Sequence, residues 1–217
     1  MAQRRRYDLL MERRAWAPAA TLYLSGGGLG ARADAWPEAL QWLAARSGDV
    51  ALASLASHDT TQARSLQALL ATRGKRAEVL SAEGGEAERA ATIFLCGGDA
   101  TLLVGDRDRA ATIRRWLDDP AKYIVADSAS AMALGARAAS CTCGGHAIRV
   151  IDGLDLLGGL SVLAHATGGD DPRLAALGNG RLLALPTRAA LSTLWRTIDR
   201  LGLTVKKNGA LRRAAPA

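Results

Sequence analysis

The sequence predicts an α/β fold, a mainly parallel sheet flanked by helices on both faces. Three observations predict it. Short apolar runs alternate with helical patterns of 10–15 residues, the signature of βαβ units. Glycine-rich or polar turns separate the two, as at Gly26-Gly27-Gly28 and Gly97-Gly98-Asp99. No repeat or low-complexity linker divides the 217 residues, and 49% apolar content suits one domain with a sizeable core.

The elements follow in order. Thr21–Leu24 is β-like and runs into the glycine turn, after which Asp34–Arg46 reads as a helix. Val50–Leu55 is a second strand, and Thr60–Arg73 a second helix with apolar positions at Leu66, Leu69 and Leu70. Ala77–Leu80 and Thr92–Cys96 are further strands, the latter ending in Gly97-Gly98-Asp99 ahead of a helical Asp106–Leu117. Tyr123–Ala126 is a strand that stops at Asp127-Ser128, and Ala129–Ala138 follows as a helix. Past Gly144 the pattern loosens. Ala147–Ile151, Leu160–Ala164 and Leu182–Leu185 read as strands, Asp171–Leu177 as a short helix and Arg188–Arg200 as the last helix.

The formal net charge of +7 belongs to the ends. Residues 1–14 carry +3 and residues 206–217 carry +4, so the 191 residues between them hold 19 basic and 19 acidic side chains. Both ends are expected to be flexible. A nucleic-acid groove needs an excess of Lys and Arg, and a single-strand site needs aromatics on which bases stack. The central region has no such excess, and the whole chain has nine aromatics. No specific nucleic acid and no membrane are expected as partners. No apolar run approaches the roughly 18–20 residues of a bilayer span. The first fourteen residues hold no apolar stretch of signal-peptide type. The three cysteines form no CxxC pair. A cytoplasmic, reducing setting is the expectation.

In parallel sheets ligands bind at the carboxyl ends of the strands. Three loops converge there by composition: Ser25–Gly30, Gly97–Asp99 and Asp127–Ala131. The stretch Tyr123-Ile-Val-Ala-Asp-Ser-Ala-Ser-Ala-Met132 is a strand that stops abruptly, presents a serine and enters a helix through small residues. That is the pattern of a nucleophile elbow, whose tight turn tolerates only small neighbours. The same residues also suit a plain helix N-cap at Asp127 or Ser128. His165 closes the strand Leu160–Ala164 at the rim where a base for Ser128 would stand, and it also reads as a lone structural histidine. His58 and His146 end no comparable strand. Backbone N–H groups of the Gly97-Gly98 turn, together with that of Ala129, are candidates for an oxyanion hole.

Other chemistries fit less well. Gly26-Gly27-Gly28-Leu29-Gly30-Ala31 matches a dinucleotide loop, but Asp49 begins the second strand instead of ending it, and Asp59 lies too far along. Cys96 has an apolar setting with no base in sequence and reads as a packed small residue. Cys141, Cys143 and His146 lack a fourth ligand at standard spacing, so no metal and no cofactor are expected.

Four blocks occur in an order that resembles the S51 peptidases, the cyanophycinases and aspartyl dipeptidases. They are Leu22–Gly28 (LYLSGGG), Ile93–Leu103 (IFLCGGDATLL), Ala126–Met132 (ADSASAM) and Gly153–His165 (GLDLLGGLSVLAH), within about residues 20–180. The resemblance implies a flavodoxin-like, class I glutamine amidotransferase-like three-layer sandwich. It also implies a serine-type peptidase acting on a small peptide or dipeptide-like substrate. Ser128 would be the nucleophile and His165 the general base. Gly97, Gly98, Asp99 and Ala129 would form the oxyanion and substrate-binding loops, and a homodimer is left open. The family elbow reads G-[TW]-S-A-G-A, and here Ala126 and Ser130 stand for its glycines. The Gln that follows the GGD segment in cyanophycinases is Ala100, and Leu163-Ala164 replaces the Asp-Gln before the family histidine. No carboxylate falls between Ser128 and Asp152, where the family places its third acid, leaving Asp152, Asp155 and Asp170 as stand-ins. These departures motivate the alternative of a non-catalytic, ligand-binding relative. The family's preference for aspartate at the cleaved bond implies a cation, with Arg137, Arg149 and Arg173 as candidates.

Overall fold

The computed structural model describes residues 18–28, 37–80, 89–140, 147–178, 180–185, 190–194, 204–205 and 211–212. Five strands lie parallel in one sheet: β1 (Thr21–Ser25), β2 (Val50–Ala53), β3 (Ala77–Val79), β4 (Thr92–Leu95) and β5 (Tyr123–Asp127). Their spatial order is β1-β5-β4-β2-β3, so the first strand docks beside the fifth. A sixth strand, Ala190–Leu194, pairs antiparallel on the outer edge of β1. That overturns the expected helix over Arg188–Arg200 in its described part. A segment with helical periodicity becomes a strand where a sheet edge offers a full ladder of backbone partners.

Each central strand is apolar on both faces because helices cover both sides. On one side Val50, Leu52, Phe94, Cys96 and Val125 pack with Leu40 and Leu43 of α1 (Pro37–Ala44) and with Ala63, Leu66 and Leu70 of α2 (Thr61–Ala71). On the other, Ala51, Ala53, Ile93, Leu95, Ile124 and Ala126 meet α3 (Ala100–Val104), α4 (Arg107–Asp118) and α5 (Ala129–Leu134). The result is the three-layer sandwich expected from the alternating pattern. Replacing fully buried Phe94 by Ala would remove about 3–5 kcal/mol.

Small units beyond α5 complete the rim. β6 (Arg137–Ala139) pairs antiparallel with β7 (Val150–Asp152), and β8 (Leu160–Ala164) pairs parallel with β9 (Arg181–Leu185). Helix α6 (Pro172–Leu177) lies between β8 and β9 in the chain. The helix expected over Ala129–Ala138 stops at Leu134. A Cβ on Gly135 would stand 2.9 Å from the Leu160 carbonyl oxygen, so β8 passes against the chain there. Among the described residues no helix is long and apolar enough to cross a membrane. Residues 1–14 lie outside the described residues. Of residues 206–217 only Leu211–Arg212 is described, paired with Thr204–Val205.

Candidate active site

The elbow is formed. Ser128 has φ 53° and ψ −115°, a conformation L residues rarely adopt and one that costs on the order of 1–3 kcal/mol. Its carbonyl accepts from Met132 N–H and starts α5, so by backbone it stands at the N-cap position. Its side chain makes no capping bond. The hydroxyl instead lies 2.6 Å from His165 Nε2. The turn is fixed from below by Ser128 N–H donating to Ser25 O at 3.1 Å. The buried Asp127 carboxylate accepts from Ser25 Oγ at 2.6 Å. The two residues in place of the family glycines fit: Ala126 is fully buried, and Ser130 donates its hydroxyl to Cys96 O at 2.5 Å.

His165 also has positive φ, 53°, and comes from the carboxyl end of β8. Its N–H donates to Gly26 O at 2.9 Å, which docks that strand end beside the glycine turn after β1. Gly27, at φ 102°, makes room for the ring: a Cβ there would lie 2.1 Å from His165 Cε1. The glycine turn thus seats an imidazole, and Gly30 and Ala31 of the dinucleotide-like pattern lie outside the described residues. Burial, followed by the nearby Arg173 charge, holds the imidazole below its usual pKa, in its neutral, proton-accepting form.

Ser128 and His165 open onto a cavity of about 370 Å³. Gly98, Asp99 and Ala129 line it. Gly97 lies beneath the elbow instead, where an added Cβ would be 3.1 Å from Ser128 Cβ. Gly98, at φ 144°, is packed against Ala56, whose carbonyl oxygen an added Cβ would meet at 2.0 Å. Ala129 is the first residue of α5, and such an N–H has no acceptor within its own helix. Asp99 is occupied with structure, since its carboxylate caps α3 by accepting from Thr101 N–H at 2.8 Å. Met132, Ala138, Ala139 and Ile151 give the cavity an apolar wall.

The three candidate cations separate cleanly. Arg149 lines the cavity. Arg137 donates to Leu177 O at 2.7 Å. Arg173 is buried and serves the protein's own backbone and Asp171. Of the candidate acids, Asp152 faces Arg137 across the β6–β7 register, Asp155 accepts from Gly159 N–H at 2.9 Å, and Asp170 is exposed. None of these three lines the cavity. The acid tied to the His165 segment is their neighbour Asp171, which sequence reasoning missed. Asp171 caps α6 and is held far below the usual carboxylate range, first by its bonds to Arg173. The signal available was the run Asp171-Pro172-Arg173, a capping acid followed by a proline at the first helical position. Cys141, Cys143 and His146 lie outside the described residues, and Cys96 is buried with its thiol pushed up to about 12 by burial.

No protein-family profile and no curated protein sequence matches the chain. Solved structures do. One is a protein assigned as a peptidase E from Listeria monocytogenes EGD-e, with a TM-score of 0.56 at 16% identity, covering 80% of this chain and 94% of that one. Another is a peptidase from an acI-B1 Actinobacterium, with a TM-score of 0.53 at 17% identity, covering 80% and 83%. At that identity the likeness is one of architecture: the chain shares the α/β fold of these two peptidases.

Proposed function

We propose that the chain is a serine-type hydrolase that cleaves a small peptide-like amide. The observation that carries this reading is the contact between Ser128 Oγ and His165 Nε2 across a strained elbow. Nucleophilic catalysis needs a hydroxyl within hydrogen-bond reach of a neutral base, and this pair meets that requirement. Ser128 Oγ attacks the substrate carbonyl carbon while its proton passes to His165 Nε2. The resulting oxyanion is held by the N–H groups of Gly98 and Ala129. Collapse expels the amine, which takes the proton from the imidazole, and water then releases the acyl group by the reverse route. Arg149 on the cavity lining is the group that meets a substrate carboxylate, while the apolar wall takes the rest of the acyl portion.

The test is covalent labelling. A fluorophosphonate probe modifies Ser128 in the wild type, read by mass spectrometry, and modification is lost in Ser128→Ala. A folded wild-type protein that takes no label would point instead to a ligand-binding relative without catalysis.

A further inference from the structure

The Asp171–Arg173 pair is a buried ion pair beside the site that the acyl-transfer steps leave unused. The two residues are 4% and 2% exposed. Burying two charges is costly, and such a pair by itself is weak support for a fold. Its hydrogen bonds say what it holds. Arg173 Nε and Nη2 donate to the two Asp171 carboxylate oxygens at 2.9 and 2.6 Å, a bidentate grip that fixes the guanidinium plane. The remaining reach of the fork goes to two consecutive carbonyls: Nη1 donates to Ala164 O at 3.2 Å and Nη2 to His165 O at 2.7 Å.

Those two carbonyls belong to the peptide planes on either side of the His165 Cα. The N–H groups of the same planes are also held, His165 N–H by Gly26 O at 2.9 Å and Ala166 N–H by Leu185 O at 3.1 Å. Peptide planes are rigid, so holding both at both ends fixes the two dihedrals between them. The value imposed is the positive φ of 53° from which the ring reaches Ser128. Asp171 is braced in turn by Thr167 N–H at 3.1 Å and Arg173 N–H at 3.0 Å.

We propose that Arg173, anchored by Asp171, is the positioning residue of the His165 base: it locks the strained backbone that aims the imidazole at Ser128 and sets a fixed positive charge beside it. The inference rests on the serine-hydrolase reading and adds to it a device that orients the base through its main chain. Among the described residues, the groups that face His165 include Ser128 at the start of α5 and Arg173 with Asp171 from α6. Across the shared cavity stand Asp99 and Arg149, and Asp127 lies under the elbow. Among the charges, Arg173 is the one whose field disfavours the imidazolium.

The chain has three histidines, so an imidazole NMR titration, with His165→Gln for assignment, reads His165 without substrate. Wild type, Arg173→Met and Arg173→Lys are titrated, and the rate of fluorophosphonate labelling at Ser128 is followed in each. In folded Arg173→Met the His165 midpoint rises as the neighbouring charge is removed, and labelling slows about tenfold or more. Arg173→Lys keeps the charge but cannot grip a carboxylate and two carbonyls together. Its midpoint therefore stays near wild type while labelling still slows. A wild-type midpoint in Arg173→Met together with labelling within about twofold of wild type in either variant overturns the proposal. If Arg173→Met does not fold, Arg173→Lys alone decides by its labelling rate. An unlabelled wild type would sink the hydrolase reading alone, since the titration still judges what Arg173 does to His165.

Discussion

The imidazole of His165 stands where a side chain at position 27 would have to be. An added Cβ on Gly27 would fall 2.1 Å from Cε1 and 2.5 Å from Nε2, far inside van der Waals contact, and the backbone there has φ 102°. Packing and backbone thus demand the same residue for separate reasons.

Gly27→Ala is therefore expected to displace the ring from Ser128. Labelling at Ser128 should fall about a hundredfold, and overpacking with a positive-φ alanine should lower stability by about 1–3 kcal/mol. Labelling kinetics beside a urea melt check both halves. Wild-type kinetics in the variant would mean that the ring does not need this seat.

Ser128 carries strain that a glycine would not. Comparing Ser128→Gly with Ser128→Ala removes the hydroxyl from both and leaves only the φ 53°, ψ −115° backbone to tell them apart. The glycine variant should be more stable than the alanine variant by about 1 kcal/mol in equilibrium denaturation, the reverse of their usual order. Both should be unlabelled. Equal stabilities would show that the elbow is relaxed in solution.

The pH profile follows from His165. Burial and Arg173 hold its pKa below the usual 6.5, so the imidazole stays neutral at pH 7. Labelling is expected to be flat above neutrality and to fall only on the acid side, with a midpoint below 6.5. The sign for stability is the same. Below 6.5 the unfolded chain takes up this proton before the native one does, so stability declines as pH falls through that window. His165→Gln should remove that slope, and urea melts at pH 5 and 7 measure it.

Cys96 is expected to be inert. Its thiol is buried at the end of β4, raised to about 12, and so almost no thiolate exists at neutral pH. In a Cys141→Ser/Cys143→Ser background, a thiol reagent at pH 8 should leave the native protein unmodified and react at once in denaturant. Rapid native modification would contradict the described burial.

What was legible in the chain is what local pattern carries. Runs such as Ile93-Phe94-Leu95 announce a doubly covered strand, because both faces must be apolar. Ser128 stands out by its small neighbours and His165 by ending a clean strand. Less visible were features decided across the fold. Helix α3, Ala100–Val104, is five residues long, too short for periodicity to register. The end of α5 is set at Gly135 by the passage of β8, which nothing near Gly135 in sequence announces. Ala190–Leu194 takes its form from β1, over 160 residues earlier. In sequence Arg173 is one of three equal candidates for a substrate carboxylate, with Arg137 and Arg149, since type and position alone say nothing of which carbonyls lie above it.

The neighbour relation of β1 and β5 bears on synthesis. Ser25 pairs with Asp127 in register, and His165 seats on the turn after β1. A ribosome-bound chain that has released its first strand must wait for about a hundred more residues before that strand gains its parallel partner. It waits longer still for His165, whose ring faces Ser128. On the serine-hydrolase reading proposed above, the Ser128–His165 pair cannot assemble until residue 165 has emerged, so the nascent chain is silent through most of its elongation.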